Sequence, residues 1–362
     1  MKGESPMTRE KTCYAGIDMA RFAFAIIIVL FHCSHIFDEG FLLQHLDFVL
    51  FSYLERFVVP FFFICAGFFL YRDAGPDSFS MTKQKQYLLR ILRLYLIWTV
   101  IYLPLSVSAF RYDEKGIGNA VMIYLRDTVL TGSYYHLWFL PALIMAVALI
   151  AILTKYRVSP NTVLLTAAAF YAVGLLAQSW FGLIRPLEQL APGIWSWLRR
   201  IQHVIVTTRN GLFEGFLFVS IGMCFAVYRP VFSRSTEIRG CAFFMVALLG
   251  EILLLRHLGW SREENCYLFL VPASFFLFAL LRDLNLKNRP AFQKLRKPSG
   301  LIYYLHPLLI AAAGFLTERT KLQGEWLAIL NYGSVVVLSI VIAQMIVRFS
   351  GRKGFRWLRA LY

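Results

Sequence analysis

The sequence predicts an all-α, polytopic integral membrane protein with about ten transmembrane helices and both termini in the cytoplasm. Hydrophobic residues make up 58% of the 362-residue chain, and charged residues only 16%. Apolar runs of the roughly 20 residues that cross a bilayer recur along the whole chain. The residue alternation typical of membrane β-strands is absent, which argues against an outer-membrane barrel. No convincing internal repeat or long polar region interrupts the pattern, so we expect one membrane domain over residues 1–362.

Ten apolar segments are expected to form the membrane-spanning helices. The polar N-terminus lacks a small-residue cleavage site, so the first segment is predicted to be a retained helix rather than a signal peptide. The seventh and eighth segments are short for a span. The segments cover residues 16–37, 46–71, 87–110, 134–153, 160–181, 210–228, 239–256, 266–282, 299–316 and 326–349.

The net charge of +16 would suit a nucleic-acid ligand, but its distribution along the chain is that of a membrane protein. With ten spans and both termini inside, the inner segments hold 23 Lys and Arg residues and the outer loops hold 11. This positive-inside asymmetry indicates a multi-pass protein of the cell membrane, and nucleic-acid binding is not expected. The densest basic cluster, residues 282–297, is expected to lie on anionic lipids at the cytoplasmic face.

The first span carries ionisable side chains on one face. Arg21 and His32 are eleven residues apart, which is three turns plus roughly 20° of an α-helix and about 16 Å along its axis. Ionisable groups at membrane depth are costly and survive mainly where they face the bundle interior and act there. His35 follows His32 by one turn and can face the same cavity. The histidines could instead hydrogen-bond neighbouring carbonyls for packing, or ligate a metal, although no third ligand has informative spacing.

Imidazole titrates near neutral pH and therefore suits a general base, whereas an arginine keeps its charge and presents a fork that fits carboxylate or phosphate. Arg90 and Arg93 lie one turn apart where the third span begins. They either form a positive-inside flank or join Arg21 in a cytoplasm-facing anion pocket. Arg56, in the second span, either snorkels, pairs with Glu55 or belongs to the site.

Three further segments hold substrate or structural candidates. His136 and Trp138 open the fourth span, where Trp is ordinary at an interface but His is unexpected. Glu214 lies in the sixth span among glycines that permit close helix contact, and it needs a partner such as Arg209 or a histidine if it is buried. His306 lies in the ninth span, where the following proline frees a backbone carbonyl.

Together these motifs resemble acyltransferase family 3, a family of membrane O-acyltransferases. The resemblance runs from the first span to the ninth. It also extends, through Arg209-Asn-Gly-Leu-Phe, to the membrane half of the membrane-bound serine racemases of vancomycin resistance. The matching motifs are Arg21 with His32, Arg56 with Pro60-Phe-Phe-Phe and Ala66-Gly67, Arg90 and Arg93 with Tyr95, His136-Leu-Trp-Phe-Leu140, and Ile302-Tyr-Tyr-Leu-His306-Pro307.

The resemblance implies an acyl-CoA donor that enters from the cytoplasm, most plausibly acetyl-CoA, and an acceptor hydroxyl on an envelope sugar or glycolipid. It implies O-acetylation of a cell-envelope polysaccharide or related carbohydrate in a bacterial cell membrane. No metal is expected, because the sequence offers no third ligand with informative spacing beside His32 and His35. His32, with His35 beside it, would be the catalytic base, and Arg21, Arg90 and Arg93 would bind the phosphates of coenzyme A.

Two other interpretations stay open. A secondary transporter of a small polar solute such as serine would use Glu214 and the intramembrane histidines as a proton relay, although the inverted repeat of many transporters is not seen. A non-catalytic membrane assembly or sensor subunit is the third.

Overall fold

The computed structural model describes residues 14–34, 53–76, 78–109, 116–284, 286, 289–320 and 325–362. These residues are mostly helical, and their only β-type pairing is an isolated bridge between Gly75 and Ser78. The predicted all-α class is confirmed. The α-helices are α1 (Ala15–Ser34), α2 (Glu55–Tyr71), α3 (Met81–Ala109), α4 (Gly116–Leu130), α5 (Phe139–Lys155), α6 (Pro160–Ala177), α7 (Leu187–Leu190), α8 (Pro192–Ile205), α9 (Phe216–Tyr228), α10 (Arg234–Leu258), α11 (Leu270–Arg282), α12 (Arg289–Gln293), α13 (Arg296–Thr320) and α14 (Glu325–Phe349). Two 3₁₀-helices (Phe181–Leu183 and Lys353–Leu361) and a π-helical turn (Gly211–Gly215) complete the helical elements.

Each of the ten predicted segments overlaps one of these helices. Within the described ranges, seven helical stretches are long and apolar enough to cross a membrane. Helices α5 and α11 are apolar but shorter, and α2 has 17 residues. The seven stretches support a membrane protein, whereas the ten-span count and the cytoplasmic position of both termini stay predictions. The seven are Ala15–Cys33, Met81–Val107, Pro160–Ala177, Gly211–Tyr228, Arg234–Leu258, Pro290–Thr317 and Leu330–Phe349.

The sequence pattern does not predict helices α4 and α8, which lie between apolar segments. Helix α8 begins with Pro192 and carries basic residues beside exposed Ile194, Trp197 and Val204. A search for long apolar runs passes over such mixed helices, because their apolar residues lie on one side only.

Local sequence sets several helix ends. Ser159 and Ser233 precede α6 and α10, and each side-chain oxygen accepts a hydrogen bond from a backbone N–H three residues later. Such caps satisfy a donor that has no partner within the helix. Helix α10 ends at Gly259, whose φ of 61° is the left-handed conformation that favours glycine. Glu251, buried on α10, accepts hydrogen bonds from the backbone N–H groups of Leu268 and Phe269 at 2.8 Å and so anchors the start of α11.

The centre of the bundle is the contact between α2 and α9. A Cβ on Gly67 would collide with the carbonyl oxygen of Val219, and one on Gly222 would collide with the carbonyl oxygen of Ile64. The two backbones therefore touch, as the small residues in both segments predict. Fully buried aromatic side chains surround this contact and include Phe57, Phe61, Phe63, Phe216, Phe218, Phe225 and Phe278.

We expect Gly222→Ala to lower the thermal unfolding temperature, because its new methyl group meets backbone atoms that cannot rotate away. Overpacking of this kind costs about 1–3 kcal/mol. Gly250→Ala is the matched control, since a Cβ there meets no atom within 4 Å and alanine favours a helix over glycine. Thermal unfolding in detergent measures both variants. Equal unfolding temperatures for the two would contradict the close contact.

Candidate active site

Helix α1 is held at one end by a buried ion pair. The carboxylate of Asp18 is fully buried and accepts a hydrogen bond from Nε of Arg296, the first residue of α13, at 2.5 Å. Gly16 lies against the carbonyl oxygen of Leu281 in α11. These contacts fix the position and rotation of α1, and they place Arg21, one turn after Asp18, at the wall of a cavity.

Three histidines meet near the other end of α1. His32 stacks on His306 of α13, with ring centroids 5.2 Å apart and an angle of 14° between the rings. His136 packs edge-on against His306 at 5.5 Å, and Tyr135 packs edge-on against His32 at 4.9 Å. Both ring nitrogens of His136 and Nε2 of His306 are buried and have no hydrogen-bond partner among the described residues. Buried nitrogens of this kind call for a ligand or another explanation.

The loop that carries His136 is fixed by hydrogen bonds from other helices. The Tyr303 hydroxyl on α13 donates to the carbonyl oxygen of His136. Before it, the hydroxyl of Tyr95 on α3 accepts a hydrogen bond from the backbone N–H of Ser133 at 2.9 Å. Gly132 turns the chain with a φ of 95°, a conformation that side chains rarely adopt. The motif tyrosines Tyr95 and Tyr303 therefore support the histidine loop.

Glu214 reaches the cavity from the π-helical turn Gly211–Gly215. Asn210 caps this turn, because its Oδ1 accepts hydrogen bonds from the N–H groups of Leu212 and Phe213 at 2.9 and 3.2 Å. Glu214 is 3% exposed, and its Oε2 is buried without a hydrogen-bond partner in the described part of the chain. Short π-helical turns often occur at functional sites. Here the turn places a carboxylate at the cavity wall.

Arg209 is the cation beside this carboxylate. Its guanidinium lies over the ring of Trp138 at 4.7 Å and donates a long hydrogen bond to Asn265 at 3.5 Å. Arg209 and Glu214 both line the cavity. Neither takes part in an ion pair among the described residues. A partnership of Glu214 with Arg209 therefore stays a prediction.

Arg56 has a partner that the sequence did not suggest. From the sequence, Arg56 could snorkel, pair with Glu55 or belong to the site. The structure pairs Arg56 with Glu264 at 3.5 Å. Glu264 also accepts hydrogen bonds from Nε and Nη2 of Arg256, at 3.2 and 2.7 Å. Burial raises the pKa of Glu264, but the hydrogen bonds and positive charges of Arg256 and Arg56 outweigh it, and the pKa lies below its ordinary value of 4.5.

A single cavity of about 1160 Å³ joins these groups. One end, called the basic end here, lies near the starts of α3 and α13; the other, called the histidine end, lies beyond His32. Because Arg21 and His32 share one helix, about 16 Å separates the two ends. The basic end is lined by Arg21, Lys83, Arg90, Arg93, Arg296, Lys297 and Arg359, and the histidine end by His32, Arg56, Tyr135, His136, Trp138, Arg209, Glu214 and Asn265.

The basic end carries an excess of positive charge. Lys83 pairs with Asp73, and Arg296 pairs with Asp18. The other five cations form no ion pair with a carboxylate in the ranges the structure describes. Cations gathered in a partly enclosed site without acidic partners favour an anionic ligand. The five are Arg21, Arg90, Arg93, Lys297 and Arg359.

The structure brings nearly all of the predicted site residues together. Arg21, Arg90 and Arg93 line the basic end; His32, Arg56, His136, Trp138 and Glu214 line the histidine end. His306 contacts the rings of His32 and His136. His35 lies outside the described residues. No group of three or more His, Cys, Asp or Glu side chains that could hold a metal occurs among the residues that are described.

Sequence reasoning missed several residues of the site. No role is predicted for Asp18, Arg359, Glu264 and Asn265, and Lys297 is predicted only to belong to the basic cluster on anionic lipids. Each of the five lines the cavity or holds a residue that does. Asp18 could have been identified from the sequence, because a carboxylate within an apolar run needs a compensating partner, as Arg21 does. The others lie in polar stretches, where charged residues are ordinary and no spacing sets them apart.

Comparison with known proteins gives a family match over nearly the whole chain. Residues 14–348 match the family model acyltransferase 3, described as an acyltransferase domain. No solved structure matches the chain.

The chain is also similar to curated bacterial racemases. A serine/alanine racemase of Enterococcus gallinarum is 29% identical over 336 residues, covering 90% of this chain and 45% of the relative. An amino-acid racemase of Enterococcus faecalis is 26% identical over 341 residues, covering 91% and 45%. A second one from the same organism is 28% identical over 285 residues, covering 78% and 38%. The chain thus spans less than half the length of these relatives.

We expect Glu264→Gln to remove a pH-dependent contribution to stability. Because the folded-state pKa of Glu264 is below 4.5, its ionised form stabilises the fold above about pH 4.5, and this contribution is lost as pH falls below that value. The difference in unfolding temperature between wild type and variant should therefore be largest near neutral pH and shrink in acid. Glu188→Gln, at an exposed position, is the control. A difference that grows in acid would contradict the assignment.

Proposed function

Because the chain belongs to acyltransferase family 3, we propose that it is a membrane O-acyltransferase of a bacterial cell membrane. It moves an acyl group, which we take to be acetyl, from cytoplasmic acyl-CoA to a hydroxyl of a cell-envelope carbohydrate or glycolipid. The observation that carries this proposal is the single cavity that joins a cluster of cations without a described acidic partner to a cluster of histidines.

The dimensions of the cavity suit this donor. The phosphates of acyl-CoA complement the positive charge of the basic end, with Arg21, Arg90 and Arg93 as binding residues. The pantetheine arm carries the thioester away from those phosphates. Arg21 and His32 lie roughly 16 Å apart along α1. A pantetheine arm of about that length delivers the thioester to the histidine end.

His32 is the proposed general base. A neutral imidazole nitrogen takes the proton of the acceptor hydroxyl as its oxygen attacks the thioester carbon. The new carbon–oxygen bond forms, the carbon–sulfur bond breaks, and the proton passes from His32 to the leaving thiolate, which leaves as free CoA. His306 stacks on His32 and holds the plane of its ring. Trp138, or a nitrogen of His136 that has no hydrogen-bond partner in the described part of the chain, would donate to the oxyanion.

We expect His32→Ala to reduce thiol release from acetyl-CoA by at least about 100-fold, because general-base catalysis contributes roughly that much. The assay uses purified protein in nanodiscs with cell envelope as the acceptor source. His257→Ala, an exposed histidine of α10 outside the cavity, should retain wild-type activity. Release that is unchanged in folded His32→Ala protein would refute the role of His32.

We expect Arg21→Ala to weaken donor binding, because it removes a charge that lines the basic end. The concentration of acetyl-CoA that half-saturates the protein should rise about tenfold, which corresponds to 1.4 kcal/mol. Unchanged affinity for the donor would count against the assignment of Arg21. Failure of the wild-type protein to bind acetyl-CoA would count against the enzyme itself.

The second candidate function is transport of a small amino acid. Glu214 and Arg209 line the histidine end without forming ion pairs with described residues, and they would complement an ammonium and a carboxylate. The relatives named serine/alanine and amino-acid racemases act, by name, on such compounds.

Transport predicts uptake of serine by proteoliposomes under a pH gradient, with no thiol release from acetyl-CoA. Glu214→Gln should abolish this uptake, because the amide cannot carry the proton. Uptake by the variant at the wild-type rate, or thiol release that depends on His32, would reject the transporter.

A further inference from the structure

The C-terminal segment 353–362 forms part of the cavity although it follows the last long helix. Arg359, Ala360 and Tyr362 line the basic end together with Lys297 at the start of α13. By its sequence alone, this segment is a Lys- and Arg-rich flank after the last apolar helix, as is ordinary in membrane proteins. Its place in the structure indicates a more specific role.

Hydrogen bonds hold the segment against two helices. Nε1 of Trp98 on α3 donates to the carbonyl oxygen of Leu361 at 3.1 Å. The hydroxyl of Tyr362 hydrogen-bonds Oγ of Ser350 at 2.8 Å, and Nε of Arg359 donates to the carbonyl oxygen of Ser350 at 3.1 Å. The position of Arg359 is therefore set by the fold.

Lys297 and Arg359 form a second group of cations at the basic end. Nζ of Lys297 lies over the ring of Tyr362 at 5.4 Å, which ties α13 to the C-terminal segment. Arg21 on α1, with Arg90 and Arg93 on α3, forms the first group, and all three line the basic end. The two groups belong to different elements, and their cations form no ion pairs with described carboxylates.

Two groups of unpaired cations fit a ligand that carries phosphate at two places. Coenzyme A has a diphosphate in the line of its pantetheine arm and a separate 3′-phosphate monoester on its ribose. A single carboxylate, or one diphosphate, would leave several of the five cations uncompensated. A lipid headgroup carries phosphate too, so the test must separate these sources.

We propose that Lys297 and Arg359 recognise the 3′-phosphate of the donor, while Arg21, Arg90 and Arg93 hold its diphosphate. This inference rests on the proposed function, since it assigns the donor to the basic end. It makes Lys297 of α13 and Arg359 of the C-terminal segment the residues that distinguish CoA thioesters from thioesters that lack the 3′-phosphate.

The test compares the binding of acetyl-CoA and 3′-dephospho-acetyl-CoA to purified protein in phosphatidylcholine nanodiscs. We expect the wild-type protein to bind acetyl-CoA at least about tenfold more tightly than 3′-dephospho-acetyl-CoA. Arg359→Gln and Lys297→Gln should lose most of this preference while they bind the dephospho ligand as wild type does. Arg356→Gln, in the same segment but outside the cavity, should keep the full preference.

The variant Arg359→Lys separates the charge of Arg359 from its structural role, because it keeps the positive charge but changes the hydrogen bond to the carbonyl oxygen of Ser350. This variant should retain much of the preference, and unfolding temperatures of the unliganded variants report on folding separately. Repetition in phosphatidylglycerol nanodiscs tests the lipid source. Anionic lipid should compete weakly for the site and leave the preference in place.

Equal affinity of wild type for the two ligands would overturn the inference alone. It would also be overturned if Arg359→Gln lost affinity for acetyl-CoA and for 3′-dephospho-acetyl-CoA equally. The same holds if Arg359→Gln changed thioester binding only in phosphatidylglycerol nanodiscs. Wild-type protein that binds neither thioester would instead refute the proposed acyltransferase, and this inference with it.

Discussion

Asp18 and Arg296 form the ion pair on which the geometry of the site depends. A carboxylate that is fully buried in a membrane protein is strongly disfavoured unless a cation compensates it, so the pair fixes which residues of α1 face α13. The stack of His32 on His306 joins the same two helices at the other end of the cavity. With α1 held at both places, Arg21 and His32 face one cavity and cannot rotate toward lipid.

The second constraint is the close packing of α2 on α9. Gly67 and Gly222 let the two backbones touch, and this contact brings Arg56 of α2 and Glu214 of the turn before α9 to the same wall. Lipid tails are as apolar as the helix side chains, so the hydrophobic effect does not drive helices together within the bilayer. Their association depends on close van der Waals packing of complementary surfaces. The positions of Arg56 and Glu214 at the cavity therefore depend on the glycines at the contact between α2 and α9.

The two ends of the cavity differ in how their charges are satisfied. At the histidine end, Arg56 is paired with Glu264, and Arg209 lies over an aromatic ring. At the basic end, five cations lack a described acidic partner. A ligand that is anionic at one end and reacts at the other would complete this distribution, which is why we prefer a CoA thioester to a small solute as the occupant.

The sequence by itself determined where the long apolar helices occur and which family the protein belongs to. Apolar runs and helical periodicity are local properties, so they predict where helices occur and that Arg21 and His32 share a face. The motifs likewise identified acyltransferase family 3. Helices α4 and α8, whose apolar residues are interspersed with polar ones, escaped the same reasoning.

Only the tertiary structure decided which side chains meet. His32 stacks on a histidine of α13, Arg56 pairs with Glu264 rather than depending on its neighbour Glu55 alone, and Arg359 reaches the cavity from the last element. Such contacts depend on which helices are neighbours and how each is rotated. Packing of small residues and the compensation of buried charge set those properties, and periodicity within one helix carries no information about them.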